Sequence, residues 1–434
     1  MKLGINQSVL INALDRGAMA ALSDEAQSDT SVISLILKSV TIKSDGKDLT
    51  VESATKLLST KYSIPICKEN GIECKEDGEI IVPAKELYDW VKRQQECRLA
   101  ISLSKLDSPE IINPLSSEAS STKGIKKIGT VKIASRDDTK TGTKWNLDCY
   151  APDQLGSSKI DLPAKKKFSI VASNLLEGFS AVDFATMPKH YEHIFDSISF
   201  QSFKKNGSDD SSIYILAFDG RRIASFEANV KDNNLDMNLM VPHTILGSVA
   251  KLSIKEEEVS FYYDQATNKV YIAQDSNGTK FVVKMSTTDP DKTKRFAPVS
   301  FIEGFKYKKI ASISRAGLIN RLATSSMVNS EYNLISLKSD KMTIYSASIA
   351  GKAPVTCIIP VKDLSIDYKV VTCPSHITDV MKALKDDYID IMIREDEDTT
   401  RSFKFISQNN KPATYFVINT DVAKSKYDKI VLED

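Results

Sequence analysis

Hydrophobic and polar positions follow two rhythms along this chain, and the order in which the rhythms alternate is itself repeated. Runs of period two, such as "LTVESATKLL", "SIYILAFDGRRIASFEA", "VSFYYDQATNKVYIAQ", "KMTIYSASI", "IDIMIRED" and "RSFKFI", put apolar residues on one face of an extended strand. Between them lie stretches with apolar residues at i, i+3, i+4 and i+7, the spacing of a helix with one buried face. Polar or Gly/Asn turns such as "DSNGTK" join successive strands and predict antiparallel hairpins.

One strand-into-helix text is written three times. Residues 2–14 ("KLGINQSVLINAL"), 167–179 ("KFSIVASNLLEGF") and 310–322 ("IASISRAGLINRL") align without gaps. Ile5, Ile170 and Ile313 then coincide, as do Leu10, Leu175 and Leu318, and Leu14, Phe179 and Leu322. A second set interleaves with the first: "IIVPAKELYDWV" (80–91), "LMVPHTILGSVA" (239–250) and "VVTCPSHITDVM" (370–381). In each, apolar strand residues meet a proline near a helix start, where its missing N–H costs nothing. The third copy shifts that proline by one place. The unit is one strand, one helix and about three strands, and it occurs six times. Each helix is expected to pack on the sheet made by its own strands rather than on another consecutive helix.

Six units in three pairs predict an α+β chain of three similar domains, 1–163, 164–300 and 301–434. Self-similarity at long intervals is a statement about architecture. The first domain is lengthened by the Ser/Pro-rich stretch 106–129, which reads as an inserted loop. The polar, Pro-flanked "TTDPDKTKRFAP" suits the second boundary.

Composition narrows the function classes. At 434 residues, with 41% hydrophobic and 26% charged residues, the chain is that of a multidomain globular protein. Lys plus Arg (58) nearly cancel Asp plus Glu (57), so any affinity for nucleic acid must come from local charge. There is no signal peptide and no apolar run near the ~20 residues of a membrane span, so a cytoplasmic protein without membrane contact is expected. The six cysteines and four histidines lack metal-ligand spacing, and reduced thiols with no metal site are expected. No phosphate loop, GxGxxG or GxSxG motif is present. The acidic run "REDEDTT" (394–400) falls where a hairpin turn is expected. No catalytic residue and no cofactor are assigned.

The ordered repeat resembles a known family, the bacterial sliding clamp, which is the beta subunit of DNA polymerase III. The threefold strand–helix text carries the resemblance, together with "AFDGRRIASF" (217–226), which is similar to a turn in that family's middle domain. "TDVMKALK" and "ATYFVI" stand where the family has its last helix and last strand. The resemblance implies a clamp fold and a head-to-tail homodimeric ring around double-stranded DNA. Such a ring is a non-enzymatic processivity factor that tethers a DNA polymerase and is loaded by a separate ATP-dependent clamp loader. A sliding ring needs diffuse positive charge rather than fitted base contacts. Over the six helical segments, Arg16, Lys85, Lys92, Arg93, Lys189, Lys251, Arg315, Arg321, Lys382 and Lys385 face six acids, leaving four positive charges. These ten and His193 are the expected DNA-facing set. The other reading is a monomeric, non-enzymatic DNA-binding or scaffolding repeat protein. Its single-strand-binding form predicts stacking aromatics on a basic groove, whereas the aromatics here lie mostly inside strand patterns.

The resemblance also implies a groove for short apolar peptides of partners. Its matching positions are Phe195, Phe218, Gly220, Arg221, Arg222, Ile223, Pro290, Arg295, Phe296, His376, Thr400, Ser402, Phe416, Val417 and Ile418. Trp145 and Leu147 on an edge strand, and Met327 and Val328 at a helix end, match the family's subunit seam. Four departures stand out. Phe218 replaces a small polar residue, Asn419 and Thr420 replace an apolar end, "SDEAQSDTS" lacks a basic residue, and a tail, 421–434, continues past the family's usual stop. Within that tail, Ile430-Val431-Leu432 is a candidate to lie in or beside the groove.

Overall fold

The six long helices start where the periodic text says they should: α1 (Gln7–Gly17), α2 (Ala84–Arg93), α3 (Ala172–Val182), α4 (His243–Leu252), α5 (Arg315–Ser326) and α6 (Pro374–Ala383). The computed structural model describes the chain apart from residues 30–33, 113–124, 137–141, 152–159, 189–193, 203–211, 289–304, 348–352, 396–401, 408–412 and 419–434. Each position shared by the three aligned copies is buried, from Ile5, Leu10 and Leu14 to Ile313, Leu318 and Leu322. In α2 the buried residues are Ala84, Leu87 and Val91, one stripe of the helix, while Lys85, Glu86, Asp89, Lys92 and Arg93 are exposed. The shifted proline of the third interleaved copy occupies the first turn of α6, and its two counterparts sit just before α2 and α4.

Two compact units divide the chain: residues 1–167 with 252–286, and residues 168–251 with 287–434. The first unit holds a five-stranded antiparallel sheet in the order Ile72–Glu76, Lys2–Asn6, Arg98–Ile112, Ile125–Arg136, Lys144–Tyr150. A second sheet there contains, as neighbours, Glu258–Asp264, Lys269–Ser276, Thr279–Ser286, Leu58–Pro65, Asp48–Ala54, Ser39–Ser44 and Gly78–Pro83. Residues near 280 therefore pair with residues near 60, Phe281 opposite Tyr62 and Val283 opposite Thr60. Backbone pairing of this kind crosses the period of the sequence, so compactness and repeat divide the chain differently. The second unit is built on a twelve-stranded sheet. Its order is Leu239–Pro242, Ser197–Ser202, Ser212–Phe218, Arg222–Asn229, Ala413–Ile418, Ser402–Ser407, Tyr388–Arg394, Tyr307–Ser314, Val355–Lys362, Lys341–Ser346, Asn333–Lys338, Tyr368–Thr372.

The helices do not rest on sheets alone, which corrects the expectation from sequence. In the first unit the Tyr88 hydroxyl of α2 donates to Asp15 Oδ1 of α1 at 2.8 Å. Gln7 Nε2 donates to the carbonyls of Val91 and Gln94. In the second unit Arg315 Nε at the start of α5 donates to the Asp386 carbonyl at 3.0 Å, just past α6. Each pair joins helices from two half-repeats, so spacing along the chain hides it.

A buried polar clasp recurs where these helices end. The Gly17 carbonyl accepts from Ser53 Oγ and Thr60 Oγ1, both at 2.8 Å. In the ungapped alignment Gly17 falls on Ser325, whose carbonyl accepts from Ser346 Oγ at 2.9 Å. At Gly17 the strand hydroxyls satisfy a buried helix-end carbonyl, and at Ser325 the hydroxyl joins the N–H groups of Val328 and Asn329 on the same oxygen.

The "DSNGTK" hairpin forms as expected. Asn277 and Gly278 take φ values of 51° and 80° between strands Lys269–Ser276 and Thr279–Ser286, as a two-residue I′ turn needs. The expected loop 106–129 is different. Its flanks continue the strands Arg98–Ile112 and Ile125–Arg136, which pair as far as Ile112 opposite Ile125. The register shifts between Lys105 and Glu110, and Pro109, which cannot donate to a ladder, falls in that irregular stretch. Residues 113–124 lie outside the described part. No disulfide joins any of the six cysteines.

Candidate partner groove and charged helix faces

The turn between strands Ser212–Phe218 and Arg222–Asn229 organises the second unit's candidate site. Gly220 has φ +84°, a conformation that L side chains rarely adopt. Asp219 is only 7% exposed, and its Oδ1 accepts from the backbone N–H groups of Arg221 (2.9 Å) and Arg222 (2.6 Å). Its Oδ2 accepts from Arg222 Nε at 2.6 Å. The same guanidinium donates through its NH1 group to Asp379 Oδ2 on α6. It also lies 5.6 Å from the centroid of the Phe184 ring, which packs on Tyr415. Two carboxylates and an aromatic face therefore hold Arg222. Its neighbour Arg221 is exposed, and among the described residues its guanidinium makes no ion pair.

His376 sits half-buried in the first turn of α6. Burial and then the Arg222 guanidinium push its imidazole below the ordinary histidine range, against the opposing pull of Asp219. The ring is therefore a neutral polar wall near neutral pH. Phe195 and Phe218 pack with centroids 5.7 Å apart and rings tilted by 48°. A Cβ on Gly220 would meet the Phe195 ring at 4.0 Å, an ordinary contact. Met187, whose N–H donates to the Phe195 carbonyl at 2.7 Å, is 41% exposed.

The structure brings Phe195, Phe218, Gly220, Arg221, Arg222 and His376 into one region of the second unit through these contacts and the Arg222–Asp379 bridge. Ile223 and Val417 are buried strand residues, with Val417 opposite Arg222. They act as floor. Pro290, Arg295, Phe296 and Thr400 lie outside the described residues. Ser402, Phe416 and Ile418 are placed as strand backbone, and their side chains are outside the description. Sequence reasoning missed Asp219, Asp379, Phe184 and Met187 as members. Asp219 had a signal, an aspartate directly before glycine in a two-arginine turn. Asp379 had none, because it is 157 residues from the arginine it meets.

Among the expected DNA-facing residues, Lys85, Lys92, Arg93, Lys251, Arg321, Lys382 and Lys385 are exposed. Two arginines differ. Arg16 donates to the Asn12 and Leu252 carbonyls and lies 5.3 Å from the Tyr62 ring centroid. Arg315 is held by the Asp386 and Met381 carbonyls. Both are engaged in stabilising helix ends, which leaves less of their charge to a ligand. Tyr88, pushed up to about 12 by burial and its bond to Asp15, fixes one of the acids on the same helix pair. Lys189 and His193 lie outside the described residues.

At the expected seam, strand Lys144–Tyr150 is the last of its sheet, as an edge strand must be. Trp145 is half-buried and stacks on Trp90 of α2, centroids 5.7 Å apart and planes 17° apart. Leu147 is 3% exposed, its side chain packed within its own unit. Met327, at the end of α5, is 72% exposed, and Val328 is half-buried.

This arrangement of strands and helices is the sliding-clamp fold. No protein-family model matches the sequence, and no curated protein matches it. Solved structures match it nearly end to end. A DnaN sliding clamp (DNA polymerase III subunit beta) from Pseudomonas aeruginosa, bound to griselimycin, superimposes with a TM-score of 0.74 at 14% identity, covering 97% of this chain and 99% of that one. The Caulobacter crescentus pol III beta gives 0.73 at 14% identity, covering 97% and 100%. The beta subunit of the DNA polymerase of Streptococcus pyogenes gives 0.72 at 13% identity, covering 97% and 100%. The expected fold is borne out, on a sequence that has diverged far from these.

Proposed function

We propose that this chain is a DNA sliding clamp, a non-enzymatic processivity factor that encircles duplex DNA and tethers a DNA polymerase. The likeness to clamps over 97% of this chain and 99% of theirs carries the reading, since it leaves no large part of either unmatched. On this reading the chain has three domains, 1–163, 164–300 and 301–434. Two copies close head to tail, the edge strand at Trp145 meeting the helix end at Met327 and Val328. The exposed Lys85, Lys92, Arg93, Lys251, Arg321, Lys382 and Lys385 face phosphates. Partner peptides, from a polymerase and an ATP-dependent loader, enter beside Phe195, Phe218, Arg221 and His376. The protein works in the cytoplasm.

The test combines light scattering with DNA retention. A dimer that stays on nicked circular DNA at moderate salt, and is lost when the circle is cut, is the expected result. A monomer, or equal retention on both DNAs, overturns the reading.

A further inference from the structure

The candidate groove has an open cation, exposed apolar surface, and a length of its own chain leaving from beside it. Arg222 is neutralised by Asp219 and Asp379, whereas Arg221 is exposed and has no ion-pair partner among the described residues. Met187 is exposed, and Phe195 and Phe218 are half-buried beside it. Strand Ala413–Ile418 runs antiparallel to Arg222–Asn229 with Val417 opposite Arg222. The described end of that strand, at Ile418, therefore lies at the Arg221 side of the turn. From there sixteen residues remain, "NTDVAKSKYDKIVLED", 419–434. Twelve steps past Ile418 they reach Ile430-Val431-Leu432, followed at once by Glu433 and Asp434.

We infer that residues 421–434 are an internal occupant of this groove, seating Ile430–Leu432 against Phe195, Phe218 and Met187 and setting Glu433 and Asp434 against Arg221. The inference rests on the groove reading above and names a regulator of that site. Its chemistry is complementary, an apolar triplet with acids for exposed and half-buried apolar side chains beside a guanidinium that makes no ion pair among the described residues. The tether also suffices. Twelve residues behaving as a random coil would have a root-mean-square span of about 19 Å, ample for a site beginning beside the anchor. At such a length the effective concentration is in the millimolar range, so an intrinsic affinity near 100 μM would keep the groove about nine-tenths occupied. An outside ligand would then bind about tenfold more weakly to the whole chain than to one without the tail.

The probe is the tail itself, a fluorescent peptide of residues 421–434, titrated by anisotropy into the full chain, into a chain ending at 420, and into full-length Ile430→Glu/Leu432→Glu. Tighter binding by about tenfold to the shortened chain, matched by the double variant and abolished by Arg221→Glu in the shortened chain, is expected. The double variant keeps the test valid if truncation impairs folding. Equal affinity for all three forms, or no binding to either altered form, overturns the inference. So does blocking that disappears on dilution, since the occupant would then come from a second copy. The peptide titration needs neither ring nor DNA, so a monomer in light scattering with intact tail blocking removes the clamp reading alone.

Discussion

Arg221 and Arg222 are adjacent in sequence and do opposite things. Arg222 bridges buried Asp219 and half-exposed Asp379, so removing it leaves the Asp219 carboxylate desolvated without its counter-charge. Arg222→Ala is expected to cost about 2–4 kcal/mol in urea unfolding, and Arg221→Ala less than about 0.5 kcal/mol. Equal effects would show that the bridge contributes little. His376 adds a pH dependence at the same place. Its folded pKa is held below the ordinary 6.5, so at higher pH neither folded nor unfolded chain carries the proton. As pH falls through that value the unfolded chain is protonated first, and stability declines. Unfolding free energy should therefore fall between roughly pH 7 and 5, with part of the slope absent in His376→Gln. An unaltered slope would acquit His376. Neither effect was legible from spacing: the motif 217–226 marked the turn, but the partner on α6 is reached only through folding.

Among elements, Ser212–Phe218 is buried at six successive positions, whereas the six long helices followed from periodicity because each buries one stripe, and strands such as Asp48–Ala54 and Glu258–Asp264 because they alternate. The ends of Arg98–Ile112 and Ile125–Arg136 did not, since Ser and Pro there mimic a loop while the ladder simply shifts its register. The helix pairs were also invisible, being made between half-repeats. A close approach at the end of α1 gives a sharp test. A Cβ on Gly17 would lie 2.3 Å from the Val51 carbonyl oxygen, which strand pairing holds in place. Gly17→Ala should lose about 1–3 kcal/mol by overpacking. Thermal stability equal to the parent's would mean that the helix end can slide away from the strand.

For the whole molecule, charge and assembly are separable. Lys85, Lys92 and Arg93 are exposed, whereas Arg315 is bound to helix-end carbonyls. Replacing the first three by alanine should lower the salt dependence of DNA binding by about 0.9 per lost phosphate contact. Arg315→Ala should cost stability and leave that slope alone. Assembly is tested at Met327, whose exposure makes substitution harmless to the fold. Met327→Glu should convert a dimer to a monomer in light scattering with an unchanged circular dichroism spectrum; an intact dimer would move the seam elsewhere. By itself the sequence determined the repeated strand–helix text, where the six long helices begin and the stripe each of them buries, because local periodicity encodes these directly. Tertiary structure alone decided that residues 252–286 join the first unit, that Asp379 reaches Arg222, and that Leu147 is core. Those outcomes depend on which distant strands and helices pair, and no local pattern carries that choice.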